Sequence, residues 1–141
     1  MADYFTHFSC ELDVVTADNA ARALELYRQF SDELEIEEQT PGFDLVATPT
    51  AEQPALLWIH DDNDSGDTDH VLAFVSKLGP MLGITGLWGF EWSHTCSRPR
   101  LDAFGGGALV IDLASGETLG TISSNEWLTR TLADPDTAGE A

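Results

Sequence analysis

Two apolar stripes at helical spacing, each set among short strand-like runs, constrain the fold of this chain more than any other feature. Ala20, Ala23, Leu24, Tyr27, Phe30 and Leu34 recur at three- and four-residue steps, which predicts a helix over 18–35 behind the cap candidates Thr16, Asp18 and Asn19. Val71, Phe74, Val75, Leu78 and Leu82 repeat the pattern and predict a second helix over 68–82, capped by Asp67 or Thr68 and kinked or ended by Gly79-Pro80. Strands surround them. Residues 7–14 alternate, with Phe8, Cys10, Leu12 and Val14 on one face. The run 43–48 follows a Pro41-Gly42 turn, and 55–60 is apolar enough for a more fully buried strand. Residues 87–94 place Trp88, Phe90, Trp92 and His94 on one face.

The resulting order, β-α-β-β-α-β, is similar to the split βαβ plan of ferredoxin-like domains. That plan implies an α+β fold in which both helices cover one face of a single antiparallel sheet. Beyond it, Gly105-Gly106-Gly107 reads as a turn or bulge before a strand at 108–113, and Ala114-Ser115-Gly116-Glu117 turns the chain into 118–122 as a hairpin. Ser123 and Glu126 have capping-box spacing ahead of a short helix through Trp127, Leu128 and Leu132. With 141 residues, 43% of them hydrophobic, the chain has material for one core, so one acidic α+β domain is expected over 1–133 with a flexible tail at 134–141.

The charge is lopsided, 25 Asp and Glu against 6 Lys and Arg, a formal net charge of −19. A basic nucleic-acid-binding face is thereby excluded, and the expected partner is a basic protein, because such a field steers association toward positive surfaces. Two accounts of the acidity compete. A mimic of nucleic acid, such as an inhibitor of the anti-restriction or anti-CRISPR type, needs its carboxylates concentrated on a face; bulk adaptation to salt spreads them. The lone lysine, Lys77, and 14 Asp against 11 Glu suit the second account, while two clusters suit the first. One comprises Glu33, Glu35, Glu37 and Glu38 at the end of the first helix, the other Asp61, Asp62, Asp64, Asp67 and Asp69 before the second.

Chemical motifs are incomplete. Asp61, Asn63, Ser65 and Gly66 copy the first half of a calcium loop, but Leu72 stands where the bidentate Glu belongs. His7, Cys10, His94 and Cys96 suggest zinc, yet His7 and Cys10 are three apart and face opposite ways in a regular strand. No nucleophile elbow, phosphate loop or paired-cysteine motif occurs, and the two cysteines read as buried free thiols. Neither catalytic residues, nor a metal, nor a cofactor is expected. Trp92, His94, Arg98 and Arg100 form a possible aromatic and basic patch, against the plainer reading that the aromatics are the core face of the sheet. The start of the chain lacks a signal-peptide pattern and no run is long enough to span a membrane, which makes the cytoplasm the default location. A non-enzymatic acidic interaction protein is the leading expectation. A small metal-assisted or anion-binding enzyme, or a salt-adapted domain without mimicry, is the alternative.

Overall fold

The computed structural model describes residues 4–62, 65–99 and 104–134. Among them the chain is α+β. Its strands are β1 (Tyr4–His7), β2 (Ser9–Asp13), β3 (Asp44–Ala47), β4 (Leu56–His60), β5 (Leu87–Cys96), β6 (Gly105–Asp112) and β7 (Thr118–Ser123). Three helices accompany them: α1 (Ala17–Ile36), α2 (Thr68–Leu82) and α3 (Ser124–Ala133). The strands form two antiparallel sheets, β1-β5-β6-β7 and β2-β4-β3.

The expected single sheet is therefore divided, and the division falls inside the first expected strand. Phe8 interrupts residues 7–14: β1 before it pairs with β5, and β2 after it pairs with β4. Asp61 holds this joint. Its carboxylate accepts the Phe8 N–H at 2.9 Å, and its own N–H donates to the Phe8 carbonyl at 3.0 Å, so the backbone at the joint is bonded where the two ladders part. The Phe8 ring is buried edge-on against Phe90, 5.8 Å between centroids. Side-chain alternation runs through the joint undisturbed, which is why the sequence reads as one strand.

Capping sets both long helices. Thr16 Oγ1 accepts the Asn19 N–H and opens α1; Asp67 does the same for His70 N–H at α2. Gly83, at φ +68°, closes α2 in the left-handed conformation, and Pro80 sits in its last turn without ending it. The two helices pack antiparallel. Arg22 reaches the Met81 carbonyl at one end, and Phe30 meets the His70 ring at the other. Between them Tyr27, Phe30, Phe43 and Phe74 form an aromatic cluster with centroids 5.2 to 6.1 Å apart.

One core joins these layers. Leu12, Leu45, Leu57 and Ile59 come from the three-stranded sheet, Trp88, Phe90, Leu109 and Ile111 from the four-stranded one, and Ala23, Val71, Val75 and Leu78 from the helices. Gly79 marks a close approach of α2 to the chain after β6, since a Cβ there would stand 2.1 Å from the Leu113 carbonyl oxygen. Gly79→Ala is expected to destabilise by about 1–3 kcal/mol, as overpacking of a fixed backbone contact does; urea midpoints of the two proteins measure it. An unchanged midpoint would mean that α2 has room to shift.

The glycine run, expected as a turn or bulge, is part of β6. Gly105, Gly106 and Gly107 are strand residues opposite His94, Ser93 and Trp92, not a turn. The Trp92 ring lies against Gly107 so closely that a Cβ would be 2.6 Å from Cζ2, so bare backbone at this position is what the ring needs. Among the described residues no helix is long and apolar enough to cross a membrane.

Candidate functional site

Antiparallel packing of α1 and α2 brings the C-terminus of one and the N-terminus of the other to the same end of the molecule. The loops there interlock. His70 Nδ1–H donates to the Pro41 carbonyl at 3.0 Å, Asp67 N–H donates to the Gly42 carbonyl at 3.1 Å, and the Thr40 and Ser65 hydroxyls lie 3.5 Å apart. Gly42 makes this possible: its φ is +72°, and a Cβ would stand 2.6 Å from both Ser65 O and Asp67 Cβ. The two acidic clusters thus share one end. Glu33, Glu35, Glu37, Glu38 and Asp69 are exposed on it, with Asp62 and Asp67 half-buried beside them. Asp44, at the start of β3 and register partner of His60, joins them without having been singled out by the sequence.

Not every expected member serves this face. Asp61 is 8% exposed and belongs to the Phe8 joint, so its carboxylate is a structural acceptor. Asp67 caps α2 and lies 3.3 Å from His70 Nδ1, while Asp62 accepts the Ser65 N–H and hydroxyl. Asp64 lies outside the described residues, as does Arg100. The freer carboxylates are those of α1, and their placement opposes the stability of the helix. The last turn of α1 contains no basic residue, so the glutamates sit at the negative end of the helix dipole. Glu38 adds backbone strain at φ +59°, the position a glycine usually takes, while the N–H groups of Glu38 and Gln39 return to the Glu35 and Leu34 carbonyls.

The field of this end reaches inward. Burial, and then the nearby carboxylates of Asp44 and Asp62, push the Tyr27 phenol up to about 12 from its ordinary 10.0, while its hydroxyl donates to the Phe43 carbonyl. A phenol raised in the folded state supports folding fully below pH 10, and that support is lost as pH rises through about 12. Tyr27→Phe should therefore flatten the alkaline decline of stability over this window, measured by denaturant titration at several pH values; an unchanged decline would show that the phenol does not contribute. Burial also raises the Cys10 thiol to about 12, which makes it a poor nucleophile.

The aromatic and basic residues divide. Trp88 and Phe90 are core residues stacked at 5.4 Å. Trp92 and His94 continue their face at partial burial, and His94 Nδ1 shares a hydrogen bond with Thr6 Oγ1 at 3.0 Å. Arg98 is exposed beyond the end of β5. Among the described residues no hydrogen bond or ion pair links it to Trp92 or His94.

A polar line escaped sequence reasoning altogether. His7 Nδ1 is 3.0 Å from Asp61 Oδ2, and its Nε2 is 3.1 Å from Thr95 Oγ1. Carboxylate, imidazole and hydroxyl in series can relay a proton, and here they also tie the loop after β4 to β1 and β5. The pairing of β1 with β5 brings Thr95 to His7 and the β2–β4 ladder brings Asp61, and no local pattern carries that information. Among the described residues no group of three His, Cys, Asp or Glu side chains is placed to hold a metal ion.

The chain matches no known protein family, curated protein or solved structure.

Proposed function

We propose that this is a non-enzymatic interaction protein of the cytoplasm whose acidic end presents carboxylates to a basic protein, as nucleic acid presents phosphates. An inhibitor of a nucleic-acid-processing protein, of the anti-restriction or anti-CRISPR type, fits this chemistry. The observation that carries the reading is the position of Glu33, Glu35, Glu37 and Glu38: uncompensated carboxylates at a helix C-terminus, one of them on a left-handed residue. Each such carboxylate is unfavourable by about 0.3–1 kcal/mol. Salt adaptation has no reason to choose the positions where acidity opposes folding; a recognition face does.

The fold is read in the same terms as a ferredoxin-like core with a broken first strand. In support, β5 lies beside β1, β4 beside β2, and β3 outside β4, the succession that plan requires once β1 and β2 count as one strand. In this reading the acidic end is the end where both crossover helices meet their loops.

Affinity capture from a lysate at low and at moderate salt, read by mass spectrometry, tests the function. The expected capture is a basic nucleic-acid-binding protein that elutes as salt rises and that added duplex DNA displaces. Capture that is indifferent to salt and to DNA would reject the reading.

A further inference from the structure

The far edge of the larger sheet differs from the rest of the surface. β7 is the terminal strand of β1-β5-β6-β7, and among the described residues no strand pairs with its outer side. Thr118, Leu119, Gly120, Thr121 and Ile122 are all exposed, Ile122 at 65%. The strand contains no charged residue in a chain of net charge −19, and no lysine or proline guards it. α3, which follows directly, has no buried residue and exposes Trp127, Leu128 and Leu132. Between α3 and the sheet lies an open groove of about 530 Å³ with Trp92 and Trp127 among its walls.

We propose that β7 and α3 form a self-association surface, and that its occupant is a second copy of this chain. Charge selects the copy over a basic partner. A basic protein is drawn to the acidic end, whereas two bodies of charge −19 can approach each other with least repulsion along an uncharged strand. The groove rim carries both signs, Glu91 and Glu126 against Arg130, and Arg130 makes no ion pair with any described residue. A second copy can therefore offer Glu91 or Glu126 to Arg130, and receive the same from it.

Parity restricts the pairing. The register shift at Val110/Ile111 leaves Leu119 as an extra residue, so β7 is regular only from Gly120 onward. Gly120 opposes Val110 and Ile122 opposes Ala108, which places both on the face away from Leu109 and Ile111. Residues that pair across an antiparallel two-fold must share a face, and an axis through Thr121 meets this condition. It sets Ile122 of one copy against Gly120 of the other and extends four strands to eight across the two copies.

The test is sedimentation of the full chain at about 100 µM, from about 0.01 M to about 0.5 M salt, over which the screening length falls from about 30 Å to below 10 Å. The expected result is a dimer whose fraction rises with salt as repulsion is screened, the opposite sign to capture of a basic partner. Ile122→Lys should lower the association constant tenfold or more, and Leu128→Lys should act in the same direction. Both residues are exposed, so the fold is not at stake, and both changes reduce the net charge, so electrostatics alone would strengthen association. The Glu33, Glu35, Glu37 and Glu38 to Gln variant keeps the dimer even where it loses the partner, which separates failure of one proposal from failure of the other. A monomer at every salt concentration, a dimer that weakens with salt, or a dimer indifferent to Ile122→Lys would overturn the inference.

Discussion

Phe43→Ala is expected to lower stability by about 3–5 kcal/mol, the range for removing a fully buried aromatic ring. Phe43 is 1% exposed, and its ring meets Tyr27, Phe30 and Phe74 at 5.2, 6.1 and 5.8 Å. It also directly follows the Pro41-Gly42 clasp, so the cavity would open beneath the interlocked loops of the acidic end. In a domain of ordinary stability, about 5–15 kcal/mol, that is a large share of the total. Urea denaturation gives the value; a loss below about 1 kcal/mol would mean that the aromatic cluster is not the anchor of the α1 and α2 layer.

The second large effect has two parts of opposite sign. Changing Glu33, Glu35, Glu37 and Glu38 to Gln removes four uncompensated charges from a helix C-terminus, so the fold should gain about 1–4 kcal/mol from four terms of roughly 0.3–1 kcal/mol each. The same variant should bind the basic partner about 100-fold less tightly, because close charges dominate both the approach and the complex. Glu11, Glu52 and Glu117 changed to Gln, with Asp112 changed to Asn, form the control, with the same change of four units and no place on the acidic end or the β7 groove. A control that weakens binding equally would reduce the effect to net charge. Asp61 belongs in neither set, since its loss would leave the Phe8 N–H without its acceptor at the joint.

Local patterns announced most of the elements, and what they missed was non-local. Helix 68–82 is visible in Val71, Phe74, Val75 and Leu78 because one face must be apolar, and Asp67 and Ser123 are visible as caps because side-chain oxygens are needed there. The break at Phe8 is not visible, because a strand that changes partners keeps its period of two. Gly105 to Gly107 suggested a turn, because what requires glycine in this strand lies elsewhere in the chain: Asn125 against Gly105, the Trp92 carbonyl against Gly106 and the Trp92 ring against Gly107. The acidic residues could be named from the sequence. That they share one end depends on antiparallel helices and on the bonds of Pro41 and Gly42 to His70 and Asp67, between segments some 25 to 29 positions apart. His7, Asp61 and Thr95 were hidden for the same reason.

If the acidic end takes the place of nucleic acid on a basic surface, binding must follow the charge of Glu33, Glu35, Glu37 and Glu38. Titration of the captured partner with the full chain, repeated from low to moderate salt with and without duplex DNA, tests it most directly. The expected results are a log affinity that falls steeply with log salt, competition by DNA, and a shallower slope for the Glu33, Glu35, Glu37 and Glu38 variant than for the control. An affinity unmoved by salt and DNA, or equal slopes for the two variants, would contradict it.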